Sequence, residues 1–423
     1  MAPPKSQSRS GWPDLPPDLL GVVLHRLPSL ADRVRLRAVC RAWRSSARHQ
    51  PPPPVQLPWI LFGDGTLLDA ANNTAHRVRL PDDAAGCYSA GENMLFVMHD
   101  DGRCSLMDAF SGAMTPQPEL AALLRYYKVD PHDGKYRTGV EKVVVSAPSA
   151  ALPVIAVLTS DCRVVVSTRR PGCEEIEKLY PSYELILLLL HLYFGMRKIY
   201  GLSHNEELLG FELGNGRLQK PTPAGARPDV VGGVPLIEAS RAHDSHDSSR
   251  YIRYRIQKRF PDSVARLYLV ESDGGLLMVR RWVRWDALES MARRCVRSAA
   301  DGPGGYRRME RTQRLDVFEA ELGDGRPRVG RWKKVDGLGG RAIFVCARCS
   351  KSVPAGDGAR EDCVYFLRRQ YLGRKPGDGS LGDSGVFDMR RKTITPLLPE
   401  SSAPVPLPWD SPRFPTWFFP VEY

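Results

Sequence analysis

The sequence predicts a mainly β fold of repeated blade-like sheets, roughly six to eight of them, behind a small all-α unit of about three helices. Three observations carry that expectation. Residues 15–45, LPPDLLGVVLHRLPSLADRVRLRAVCRAWRS, place apolar side chains at helical spacing. Four consecutive prolines, Pro51–Pro54, then remove four backbone donors and forbid any continuation of a helix. From Val55 onward, short apolar or alternating runs recur, each closed by Gly, Asp, Asn or Pro.

Taken in order, residues 1–12 are expected to form a flexible tail, 13–48 the helical unit, 49–55 a stiff Pro-rich linker and 56–423 the β body. In the first helix, proline suits the opening turn and Asp18 complements the positive end of the helix dipole. Leu19, Leu20, Val23, Leu24 and Leu27 make a broad apolar stripe, and Pro28 ends the helix. Ser29 and Asp32 stand at capping spacing for a second helix. Its apolar positions are Leu30, Val34, Leu36 and Val39, with Arg33, Arg35, Arg37, Arg41 and Arg44 left to water.

The body reads as strands joined by tight turns. NMLFVMH passes through DDG to RCSLMDAF, and ARLYLVESDGGLLMVRRWV turns at SDGG. Two segments repeat a pattern in which a strand ends on Asp and the chain returns on an apolar–Pro pair: LMDAFSG before MTP, and VFDMRRK before ITP. A repeating unit of about 40–50 residues suits that texture and sets the expected blade count. Helices are expected at 119–129 and at 285–300, the second inside a polar insertion near 282–313. The apolar run 185–194 is about half the length a spanning helix needs, so no membrane partner is expected.

Composition is that of a globular protein, with 42% apolar and 26% charged residues. The net charge of +12 permits nucleic-acid binding without implying it. Residues 251–314 carry fifteen basic against seven acidic side chains, but no nucleic-acid motif accompanies them. Nine cysteines, irregularly spaced and without a secretory signal before them, fit a reducing compartment and thus the cytoplasm or nucleus. Cys346 and Cys349 form a CxxC pair, but with Cys363 they fall short of the four ligands of a structural zinc. His243 and His246 lie in a polar, Ser-rich segment. No phosphate-binding loop, nucleophile elbow or HExxH stretch is present, so no catalytic residue, metal or cofactor is expected.

A unit of some 35 residues keeps too much apolar surface exposed to stand alone. It is either a layer packed on the β body or a plug for another protein. Residues 15–45 resemble an F-box, with the Leu-Pro opening, the DLL helix, the L-P junction and the VCRAW ending in register. The stretches RAIFVCARCSKSVPAGDGAREDCVYFLRR, DSGVFDMRRKTITPLLP and PTWFFP are similar to the plant F-box family with a KIB-type C-terminal β-propeller domain. That resemblance implies docking on a Skp-family adaptor, and through it on cullin and RING subunits, while the propeller recruits an unknown protein target for ubiquitination. It implies adaptor-facing residues among Leu15, Pro16, Leu19, Leu20, Val23, Leu24, Leu27, Val39, Cys40 and Trp43. The competing expectation is a basic, nucleic-acid-associated β protein whose helices are a structural cap.

Overall fold

The computed structural model describes residues 12, 15–27, 30–50, 57–71, 74–91, 93–125, 140–145, 154–159, 164–167, 174–176, 191–193, 198–202, 206, 208–214, 217–218, 222–223, 227–228, 263–286, 309–321, 331–356, 358–368, 381, 383–398 and 415–420. The N-terminal helices are α1 (Pro17–Arg26), α2 (Leu30–Val39) and α3 (Arg41–Arg48). Pro17 opens α1 with Asp18 in its first turn, where a missing N–H costs nothing and a carboxylate meets the dipole.

The body begins with β1 (Trp59–Leu61), β2 (Thr66–Asp69) and β3 (Thr74–Arg77). A blade follows of β4 (Ala84–Ser89), β5 (Met94–His99), β6 (Cys104–Asp108) and β7 (Met114–Pro116), and then α4 (Pro118–Arg125). The next blade holds β8 (Val140–Val145), β9 (Ile155–Thr159), β10 (Val164–Ser167) and β11 (Glu174–Ile176). The third holds β12 (His191–Tyr193), β13 (Lys198–Leu202), β14 (Leu208–Gly214), β15 (Arg217–Leu218) and β16 (Thr222–Pro223). The fourth holds β17 (Arg227–Pro228), β18 (Ser263–Ser272), β19 (Gly275–Asp286), β20 (Met309–Glu321) and β21 (Arg331–Val335). The fifth holds β22 (Arg341–Val345), β23 (Ser350–Pro354), β24 (Cys363–Phe366), β25 (Gly385–Asp388) and β26 (Thr393–Pro396). Last comes β27 (Thr416–Phe418), which returns to pair antiparallel with β1 and completes the sheet β27-β1-β2-β3.

The expected blade count is corrected here. Among the described residues, five blades each come from one continuous segment, and one closing sheet is shared by the two ends of the body. The expectation of roughly six to eight assumed a uniform repeat of about 40–50 residues. The unit from Arg227 to Val335 alone consumes more than twice that length. Its long arms flank the segment where a polar insertion and a helix are expected, of which residues 287–308 lie outside the described residues. β19 continues through Trp285 and Asp286, which pair with Glu310 and Met309 of β20, so the flanks of that segment are a β ladder.

Inner strands such as β5 and β22 are buried on both faces, which explains their continuous apolar runs. Along β5, Leu95 and Val97 enter a core shared with Trp59, Leu67 and Phe418, while Phe96 and Met98 enter the next core with Val140, Ile155 and Leu120. Along β22, Ala342 and Phe344 face the closing sheet through Ile60 and Trp417, while Ile343 and Val345 face the fourth blade through Leu269 and Met278. The edge strands β27, β4, β8, β12, β18 and β23 follow one another around the ring.

The repeated Asp motif is a turn device. Asp108 Oδ1 accepts the backbone N–H groups of Phe110 and Ser111 (3.0 and 2.7 Å), and Asp388 Oδ1 accepts those of Arg390 and Arg391 (3.0 and 2.9 Å). Asp69 does the same for Ala71 at 3.0 Å. The fourth residue after each of the first two aspartates has positive φ, +72° at Gly112 and +57° at Lys392. The carboxylate thus satisfies the donors that reversing the chain leaves open. Gly385 is fixed by space instead, since a Cβ there would stand 2.7 Å from the carbonyl oxygen of Thr395 on β26.

Several sequence expectations lie outside the described residues: the tail 1–11, Pro51–Pro54, most of the apolar run 185–194, His243 and His246, and 287–308. No helix of the described residues is long and apolar enough to cross a membrane.

Candidate docking surface

The three N-terminal helices share a core of four buried side chains, Leu20, Leu24, Leu36 and Ala47, with Leu15, Leu27 and Trp43 packed partly against it. Cys40 caps α3, its sulfur accepting the Trp43 backbone N–H at 3.4 Å. The Trp43 indole N–H donates to the Trp12 carbonyl oxygen at 2.8 Å, and the two rings meet edge to face. Arg33 departs from its expected exposure. It is buried, and its Nε donates to the Leu27 carbonyl oxygen at 2.8 Å, capping the orphan acceptor at the end of α1.

What distinguishes α1 is that it is apolar on two sides. Leu20 and Leu24 point into the core, whereas Leu19 (53% exposed), Val22 and Val23 form a second row at i, i+3 and i+4 spacing. Val39, 63% exposed at the end of α2, and Trp12, 76% exposed, extend the uncovered apolar surface. The ten residues singled out in the sequence therefore divide. Pro16, Leu19, Val23 and Val39 are exposed; Leu15, Leu27, Cys40 and Trp43 are half-buried; Leu20 and Leu24 are interior. Sequence reasoning passed over Trp12, assigned to the tail, and Val22, which falls between two helical stripes. Burying each aliphatic side chain on a partner is worth about 1.5–3 kcal/mol, so four or five together can carry association.

One arrangement in the body has the order of a hydrolytic relay. His99 Nδ1 lies 2.9 Å from Asp83 Oδ1, and its Nε2 lies 3.2 Å from Ser105 Oγ. A nucleophile must reach substrate, and both Ser105 and His99 are buried in the sheet. The relay therefore ties β5, β6 and the turn before β4 together. The His99 hydrogen bond, with His99 and Arg103 charge beside it, holds the Asp83 carboxyl below its ordinary value against a weaker opposing effect of burial. A depressed carboxyl contributes stability above its unfolded value near 3.8 that is lost as pH falls through the lower, folded value. Thermal melts between pH 2.5 and about 5 should show the native chain losing a stability increment that an Asp83→Asn variant lacks throughout. Parallel acid profiles would refute that role.

An apolar-faced helical unit, ahead of a ring of sheets that the chain's last described strand closes, defines a β-propeller protein with a small helical N-terminal unit. The F-box-like family model matches residues 12–50, and the KIB1-4 beta-propeller model matches residues 67–388. The chain belongs to the KIB1-4 beta-propeller family. It is 32% identical over 84 residues to the Arabidopsis thaliana F-box protein At2g05970, covering 20% of this chain and 22% of that protein. It is 44% identical over 61 residues to the Arabidopsis thaliana F-box protein At2g14290, covering 14% and 17%. These matches span less than a quarter of either relative's length. Among solved structures, the Myceliophteria thermophila Cps50 (Swd1) β-propeller domain is similar over 75% of this chain and 87% of that chain, at 9% identity and a TM-score of 0.31.

Proposed function

We propose that this protein is the substrate-receptor subunit of an SCF-type ubiquitin ligase, working in the cytoplasm or nucleus. F-box domains in general bind Skp-type adaptors, and F-box proteins are in general non-catalytic. In this reading Leu19, Val23 and Val39, with Pro16 and the flank of Trp43, seat on a Skp-family adaptor that leads to cullin and RING subunits. The ring displays its loops to a protein target. The chain itself breaks no bond. Holding a target lysine beside a charged conjugating enzyme replaces a bimolecular encounter with a local one, and the rate rises with effective concentration.

The observation that carries the reading is the second apolar row of α1, which the unit's own core leaves uncovered. Capture of tagged full-length chain from plant cells tests it. A Leu19→Asp/Val23→Asp variant should lose at least about tenfold of the captured adaptor and cullin, since charges would enter an apolar contact. The melting temperature should stay unchanged, because neither side chain belongs to the internal core. Undiminished capture would sink the proposal. Leu15→Ala/Pro16→Ala is a less clean probe, since Leu15 also supports that core.

A further inference from the structure

The fifth blade ends in the stretch Arg390-Arg391-Lys392-Thr393-Ile394, which is the turn after β25 and the start of β26, its outermost strand. Of the six Arg-Arg pairs in the chain, this is the one with Ser or Thr two residues after its second arginine. Two guanidiniums shortly before a hydroxyl, with an apolar residue after it, are what a basophilic Ser/Thr kinase reads, since carboxylates in its cleft take up both arginines. Thr393 is exposed, as are Thr395 and Pro396, while Ile394 is half-buried against a core. The Arg391 side chain is 78% exposed, with Nε 4.0 Å from Asp388 Oδ2. Arg390 Nε donates to Asp362 Oδ2 at 2.7 Å, its Nη2 lies 3.2 Å from Glu361 Oε1, and Lys392 Nζ lies 3.2 Å from Asp336 Oδ1.

A kinase takes its substrate as an extended strand, whereas residues 389–392 are folded into a turn. That turn is built to open. Its clasp is Asp388 Oδ1, through the backbone N–H groups of Arg390 and Arg391. Lys392 is held at a φ of +57°, a left-handed conformation that a Cβ disfavours, so opening relieves strain. Among the described residues β26 pairs with β25 alone, and its release disturbs no other strand.

We infer that Thr393 is a phosphorylation site for a basophilic Ser/Thr kinase, which gains access when the Asp388 turn opens. The inference does not rest on the adaptor reading. Transfer breaks the bond between the γ-phosphorus of ATP and its bridging oxygen, forms a P–O bond to Thr393 Oγ1, passes the hydroxyl proton to the kinase's catalytic carboxylate and releases ADP. Thr395 stands two residues too far from the arginines, and its hydroxyl donates to the Val386 carbonyl oxygen at 3.5 Å. The modification acts on the turn itself. Thr393 registers directly opposite Asp388, so the two side chains share a face. The Arg391 backbone N–H, with that of Arg390 and the Arg391 charge, holds the Asp388 carboxyl below its ordinary value against a smaller opposing effect of burial. A phosphate of about −1.5 to −2 charges opposite that carboxylate repels it. It also offers Arg391 a stronger partner than Asp388. The phosphorylated turn therefore closes less well, and β26 frays from its blade.

Incubation of the folded full-length chain with the catalytic subunit of a cyclic-AMP-dependent protein kinase and Mg-ATP, with the modified residue located by mass spectrometry, tests the site. Phosphate is expected on Thr393, and Thr393→Val, which keeps the β-branched shape, should lose it. Arg391→Gln should slow its addition about tenfold, since one arginine contact to the kinase is gone. Asp388→Ala, which removes the clasp, should speed it severalfold. Amide exchange in residues 393–397 should be faster in the phosphorylated chain than in the unmodified one. Melting curves identify any variant that has unfolded; in that case Arg391→Gln, a change at an exposed side chain, carries the test. No phosphate on Thr393, phosphate accepted by the heat-unfolded chain alone, an unchanged rate in Arg391→Gln, or an unchanged or slower rate in folded Asp388→Ala would each overturn the assignment.

Discussion

Trp417→Ala is expected to cost about 3–5 kcal/mol and to loosen the ring at its closure. The tryptophan lies on β27, where it registers opposite Ile60 of β1. It is 1% exposed, and its indole N–H donates to the Val345 carbonyl oxygen of β22 at 3.1 Å. Its ring stands edge to face on Phe344, with centroids 5.1 Å apart. One side chain thus joins the first strand of the body, the last strand, and the blade that precedes the closure. The Val345 carbonyl keeps a second bond, from the Leu367 N–H at 3.1 Å, so the loss is mainly one of volume and aromatic contact. Trp417→Phe should recover a substantial part of it. Urea midpoints would measure the cost, and amide exchange in residues 57–68 and 341–345 would locate it. A change below about 1 kcal/mol in the alanine variant would show that closure does not depend on this contact.

Much of this was legible in the residues, for identifiable reasons. The Asp turns at Asp108 and Asp388 stood out as a repeat because carboxylate, spacing and return strand are all local. Inner strands were legible because burial on both faces makes them uniformly apolar. Blade number was not legible, because a strand's neighbours are not written into its own pattern. β27 pairs with β1 across the whole body, and β24 pairs in parallel with β22 while β23 takes the other side. The docking surface was legible as apolar stripes but not as inner and outer ones. Leu19 and Leu20 are adjacent and chemically identical, yet one is exposed and the other fully interior. Arg33 misled because periodicity assigns a charge to water, whereas a long guanidinium can turn back and cap a neighbouring helix end.

Arg281→Met should be nearly as damaging as loss of Trp417, by a different mechanism. Arg281 lies on β19, is 1% exposed, and is bonded along its whole guanidinium. Nε donates to Thr312 Oγ1 at 2.8 Å, Nη1 to the Leu367 carbonyl oxygen at 2.8 Å, and Nη2 to Asp383 Oδ2 at 2.7 Å. The group also lies 4.4 Å over the Phe366 ring. It therefore links the fourth blade to β24 and to the segment entering β25 of the fifth. Burial pushes the Asp383 carboxyl up, while the Arg281 charge and two bonds from Thr312 pull it down without offsetting burial fully. Such a pair adds little over a well-packed apolar alternative, but breaking it leaves a buried charge alone, at about 3–5 kcal/mol. The single variants Arg281→Met and Asp383→Asn should each destabilise by amounts of that order. The double variant should cost less than their sum, with a coupling of about 1–3 kcal/mol in a urea double-mutant cycle. Strict additivity would mean that the two groups do not stabilise one another. The junction between these blades would then rest on the apolar core that Leu269, Met278, Ile343 and Val345 share.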